Sequence, residues 1–173
     1  MIRRLFTCTA IAGACLAGSV AAYAAPAPAV FSATDFVRIG PPADQGCIFN
    51  EAAKTATPEQ KIENCTAGMA KFEALKAKAK SPAERTGISF LIASFDFVRA
   101  GSYLKLDGGR SARVCATVER AYAQVSGLDA ALFDADLVDA FTSSRAAMSR
   151  SASACRKDYG VPAGAPALLP DQG

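Results

Sequence analysis

Apolar residues return at helical intervals along most of the chain. Ile62, Cys65, Met69, Phe72 and Leu75 recur every three or four positions and form one stripe of an amphipathic helix. The next run, Ile88, Phe90, Leu91, Ile92, Phe95, Phe97 and Val98, is apolar on most sides, which predicts the central and most buried element. Both runs open on an N-terminal signature. Thr57-Pro58-Glu59-Gln60 places a hydroxyl before the helix, proline at its first position and a side chain able to reach back. Ser81-Pro82-Ala83-Glu84 repeats the device and favours helix over strand for the apolar run behind it. After the Asp107-Gly108-Gly109 turn, Val114, Cys115, Val118, Tyr122 and Val125 mark a third helix ending near Gly127. Phe133, Leu137, Phe141, Met148, Ala152, Cys155 and Tyr159 mark a last one with Gly160 as its stop, and Thr142-Ser143-Ser144 weakens its middle. A short helix is expected from about Asp44 to Ala53, after the break at Pro41-Pro42. The pattern therefore predicts an all-α fold of four or five helices, packed as an antiparallel bundle or as a short stack of helical hairpins.

The first residues follow another logic. Arg3 and Arg4 precede an uncharged stretch, Leu5 to Val20, of apolar or small residues, and Ala22-Tyr23-Ala24 offers small residues where a signal peptidase reads them. This is the order of a cleavable bacterial export signal over 1–24. The stretch is short and rich in alanine and glycine for an anchor, which needs roughly 20 strongly apolar residues. A lipoprotein reading would lipidate Cys15, but Ala12 stands where such signals usually carry leucine. The expected organisation is then a signal peptide at 1–24, a flexible segment at 25–43, one helical domain at 44–160 and a disordered tail at 161–173.

Export changes the arithmetic. The whole chain carries a net charge of +3, with 19 basic and 16 acidic residues; without the signal's two arginines the balance is +1. No basic stripe for nucleic acid remains. Outside the signal lie Cys47, Cys65, Cys115 and Cys155, an even set that reads as two disulfides in an oxidising compartment. Cys47 and Cys65 lie equally far from Ala56, where the first turn falls, which favours Cys47–Cys65 and leaves Cys115–Cys155. The second pair is level only if the last helix begins late, near Asp136. The chain has no histidine, which removes histidine-based nucleophiles, histidine zinc ligands and c-type haem attachment.

Candidate chemistry is sparse. Ser102 and Lys105 match S-x-x-K, without the companion motifs of serine acyl-enzymes. Asp134, Asp136 and Asp139 lack the glycine and glutamate of a calcium loop, and fit acidic residues at a helix start. Lys71, Lys76, Lys78 and Lys80 form a basic run suited to a solvated helix end. Phe90, Phe95 and Phe97 are candidates for an apolar ligand pocket, with core packing as the plainer account. No catalytic residue, metal ligand or cofactor is assigned.

The segment Ile62-Glu63-Asn64-Cys65-Thr66-Ala67-Gly68-Met69 resembles a helix of exported bacterial tetratricopeptide-like proteins. Phe90, Phe97, Gly101 and Tyr103 are similar to the first helix and turn of such a repeat. The positions of the repeat's second helix fall on Leu106 and Arg110, and no period of about 34 residues is visible. The resemblance implies stacked helical hairpins and a protein-binding surface, and names no functional residue. The expectation is thus an exported, periplasmic binding or scaffolding protein with an unidentified protein partner and no lasting membrane insertion. The alternatives are a carrier of a small apolar ligand, and a hydrolase using carboxylates or Ser102 with Lys105.

Overall fold

The computed structural model describes residues 29–170. The expected export signal, its Ala22-Tyr23-Ala24 cleavage site and Cys15 lie outside the described residues. The described chain is all-α: α1 (Ala33–Ala43), α2 (Ala52–Thr55), α3 (Pro58–Lys76), α4 (Pro82–Leu106), α5 (Ala112–Ser126) and α6 (Ala135–Tyr159), with a 3₁₀ turn at Ala130–Leu132.

Local sequence explains the boundaries. Thr57 and Gln60 form both arms of the expected capping box at the start of α3. At α4 only one arm forms. The Ser81 hydroxyl accepts from Glu84 N–H, while the Glu84 carboxylate accepts from Lys80 N–H at 2.9 Å and from Arg38 at 3.4 Å. Asp134 caps α6, which begins at Ala135 and so meets the late start that a Cys115–Cys155 bridge requires. Helix α6 runs unbroken through Thr142, whose hydroxyl donates to the Val138 carbonyl one turn back.

Two expectations about the ends are corrected. The N-terminal helix spans Ala33–Ala43, within the segment expected to be flexible, and not Asp44–Ala53. The reason is a capping box in Ser32-Ala33-Thr34-Asp35, and Pro41 and Pro42 fall in the last turn, after the helix has formed. Asp44 then opens a loop. Its buried carboxylate accepts from the N–H groups of Cys47 (2.7 Å), Ile48 (3.1 Å), Phe49 (2.7 Å) and Asn50 (3.1 Å). A carboxylate that satisfies four backbone donors stabilises this loop against helix. The tail, expected to be disordered, is docked as far as Pro170. Ala167 carbonyl accepts from Tyr122 Oη at 2.6 Å, Pro166 carbonyl from Arg156 at 3.0 Å, and Leu169 N–H donates to Ser149 Oγ at 3.0 Å. Leu168 adds an apolar contact with the core, and together these offset the entropy of ordering the segment.

Each long helix packs on the one before it: α4 on α3, α5 on α4 and α6 on α5, with only marginal contact between α4 and α6. Helix α4 is the centre, as its all-round apolar pattern predicts, and Ile88, Leu91, Ile92 and Phe95 are fully buried. Both disulfides form as paired in the sequence, with Cα–Cα distances of 4.7 Å for Cys47–Cys65 and 5.3 Å for Cys115–Cys155. Cys47 sits in the Asp44 loop, so its bridge ties a loop to α3 where two antiparallel helices had been expected. Glycine admits aromatic rings at two crossings. A Cβ on Gly68 would lie 2.6 Å from the Phe95 ring, and one on Gly87 2.2 Å from the Phe31 ring.

Candidate functional site

The three phenylalanines do not meet. Phe95 faces α3, with its ring 4.9 Å from Phe72 and 5.7 Å from Phe49. Phe90 lies five positions earlier and faces the other way, 5.7 Å from Phe133 and 5.4 Å from Phe141. Both are core. Phe97 is half-buried on a third side of α4, where it lines a different feature.

That feature is an apolar groove of about 240 Å³ between α4, α5 and α6. Helix α4 contributes Phe97, Ala100, Gly101 and Leu104, a stripe at positions i, i+3, i+4 and i+7. Helix α5 contributes Val114 and Val118, and α6 contributes Ala154 and Cys155. The groove exists because small residues stand where α4 and α6 approach. A Cβ on Gly101 would meet no atom within 4 Å. Leu104 remains 40% exposed, which leaves an apolar side chain on the groove wall in contact with water.

Three polar ties hold the walls. Asp96, fully buried, accepts from Arg99 at 2.7 Å and from Arg120 at 2.6 and 3.0 Å. Its hydrogen bonds raise the Arg120 guanidinium above its ordinary pKa. Arg99 also donates to Thr66 Oγ1 at 3.0 Å, so the knot joins α3, α4 and α5. Glu119 and Arg156 pair at 2.8 Å through two hydrogen bonds and fix α5 to α6, with the Arg156 pKa raised chiefly by the Glu119 carboxylate. At the α4–α5 turn Asp107 accepts from Ser111 and pairs with Arg113, and the Ser111 hydrogen bond, followed by the Arg113 guanidinium, holds its carboxyl below the ordinary range.

The remaining candidates separate. The Ser102 hydroxyl is buried and donates to the Val98 carbonyl at 3.2 Å, while Lys105 is exposed. Asp134 is spent on capping: its carboxylate accepts from Leu137 N–H at 3.1 Å and from Ala33 N–H at 2.8 Å. Asp136 and Asp139 are exposed on α6. Lys71, Lys78 and Lys80 are exposed and Lys76 half-exposed. Among the described residues no three or more Cys, Asp or Glu gather as a metal site, and no helix is long and apolar enough to cross a membrane.

Sequence reasoning missed the groove, the Asp96 knot and the Asp44 loop. The groove had a readable signal, because Phe97, Ala100, Gly101 and Leu104 form a second stripe on α4 beside the one that carries Phe95. The knot was readable only in part: Asp96 and Arg99 stand three positions apart on α4, while Arg120 on α5 and Thr66 on α3 come from separate helices.

This architecture defines a small all-α domain, stapled by two disulfides as chains in oxidising compartments are. The chain matches no protein-family model, no curated protein and no solved structure.

Proposed function

We propose that this chain is an exported periplasmic binding protein that engages a protein partner through the α4–α5–α6 groove. The exposed, rigidly walled apolar groove carries the proposal. The signal-like residues 1–24 and the two disulfides support the compartment. Helices packed each on its predecessor support a short hairpin stack of the tetratricopeptide type. A carrier of small apolar molecules has less support: Phe90 and Phe95 are spent on core packing. The groove's 240 Å³ also falls below the roughly 300–1,000 Å³ of pockets that enclose a small ligand. A hydrolase has less again, since the Ser102 hydroxyl is turned to its own helix and away from Lys105.

The test is site-specific photo-crosslinking in the periplasm. A crosslinker at Leu104 is expected to capture a defined protein, and the same group at Lys71 is not. Gly101→Phe fills the groove from a position with open space, so it abolishes capture while the helical signal and unfolding midpoint hold. Equal capture at both positions, or capture untouched by Gly101→Phe, rejects the groove as the binding surface.

A further inference from the structure

The chemistry around the groove narrows what can occupy it. At the α6 side the groove opens onto a polar shelf formed by Arg110, Arg150, Lys157 and Asp158, and Arg110 and Ala154 line both features. Arg110 is already neutralised by Asp158 at 2.6 Å. Arg150 and Lys157 pair with no carboxylate among the described residues. An apolar cleft thus adjoins two cations that are unpaired among the described residues and set seven residues apart on one face of α6.

Other basic surfaces lack this pairing. Around Lys78 and Lys80 the cleft also holds Asp35 and Glu84, which already balance the charge. Arg145 is turned inward, with its guanidinium donating to the Leu128 carbonyl at 3.4 Å and lying over the Phe141 ring.

Resting on the binding reading above, we infer that the groove recognises an acidic amphipathic segment of a protein partner. An apolar anchor side chain enters between α4 and α6, and Asp or Glu side chains beside it meet Arg150 and Lys157. Two features select a protein segment. The groove holds an anchor side chain but is too small for a whole lipid chain. Two such cations are also fewer than the clusters of about 4–8 basic residues that hold a protein on an anionic bilayer.

The test is selection of a displayed random short-peptide library on the disulfide-bonded protein, with the Arg150→Glu/Lys157→Glu and Gly101→Phe variants in parallel. Both charge-reversed positions are on the surface and outside the groove wall. Peptides selected on the natural protein are expected to join an aromatic or aliphatic residue to nearby Asp or Glu. Their affinity is expected to fall about tenfold on the charge-reversed variant, the scale of two exposed ion pairs. That variant should itself select Lys- or Arg-bearing peptides, and Gly101→Phe should select none. Selected peptides without acidic bias, or with the same bias on the charge-reversed variant, overturn the inference, as does a selection that enriches nothing. Binding to anionic vesicles that competes with Gly101→Phe-sensitive peptides overturns it in favour of a membrane surface. The binding reading fails separately: capture at Leu104 that survives Arg150→Glu/Lys157→Glu refutes the acidic partner alone, whereas capture that ignores Gly101→Phe refutes the groove.

Discussion

Gly87→Ala makes the sharpest test of the packing, because two effects of opposite sign meet at one methyl group. Gly87 lies inside α4, where alanine is intrinsically the better helix former by about 0.8–1 kcal/mol. On propensity alone the variant is stabilised. The structure demands the reverse. The new Cβ would stand 2.2–2.3 Å from three atoms of the Phe31 ring, far inside contact distance. Phe31 has little room to yield: it is 1% exposed, its N–H donates to Leu132 carbonyl at 2.7 Å, and its carbonyl accepts from Asp134 N–H at 3.1 Å. Losing a buried phenylalanine costs about 3–5 kcal/mol, so expulsion of the ring less the propensity gain leaves a net loss of about 2–4 kcal/mol. Urea unfolding followed by helical circular dichroism measures it. A double-mutant cycle isolates the cause, since Phe31→Ala should cost about 3–5 kcal/mol in the natural protein and much less once Gly87→Ala has displaced the ring. A Gly87→Ala protein more stable by about 1 kcal/mol, the propensity effect alone, refutes this packing.

Replacing Cys115 and Cys155 with serine frees a loop of 40 residues, against 18 for Cys47–Cys65. Loop entropy puts the losses at about 4 and about 3 kcal/mol, so thermal unfolding should rank the two double variants in that order. Asp44→Ala strips four backbone N–H groups of their acceptor and should cost about 3–5 kcal/mol, whereas Gln45→Ala on the exposed side of the loop stays within about 0.5 kcal/mol. Arg38 and Ser32 hold the Asp35 carboxyl below its usual 3.8. A carboxyl with a lowered folded-state pKa stabilises above the unfolded value and loses that contribution as pH falls through the folded one. Asp35→Asn should therefore lower stability near neutrality by under about 1 kcal/mol, given the exposure of the pair, and flatten the acid limb below about pH 4, so that the two proteins converge at low pH.

Features written in contiguous residues were legible before the fold was known. The Thr57 cap, the all-round apolar run of α4 and the Gly127 and Gly160 stops follow from local spacing, while Cys115–Cys155 followed by elimination once Cys47 was paired with Cys65. Where the reading failed, a side chain worked across a turn or between elements. Ser32 and Asp35 carry a capping box, but Asp in the place of Glu or Gln hid it, and Pro41-Pro42 read as a break in front of a helix when it closes one. The Cys47–Cys65 pairing was reached through symmetry about Ala56, yet Cys47 is positioned by the Asp44 carboxylate. The tail was judged by its proline and glycine content, and Leu168-Leu169 carried the contrary signal. The three phenylalanines looked like one cluster because they are close in sequence; a helix advances about 100° per residue, so neighbours on α4 face different helices.

The covalent and ionic ties are distributed so that the groove walls are held in different ways. Cys155 lines the groove and is bonded to Cys115, which joins the α5 and α6 walls. The α4 wall has no covalent tie and relies on Asp96, whose two arginine partners come from α4 itself and from α5. The Cys47–Cys65 bridge joins a loop to α3, and neither of its cysteines lines the groove. If a prearranged groove is what a partner meets, the order of binding losses should differ from the order of stability losses. Association through fixed walls avoids the cost of ordering them at the moment of contact. Opening Cys115–Cys155 then weakens binding by loosening two walls, and opening Cys47–Cys65 lowers the unfolding midpoint while leaving peptide affinity unchanged in the folded protein. Equal affinity losses from the two bridges would mean that the fold as a whole, and not the α5–α6 staple, sets the shape of the groove.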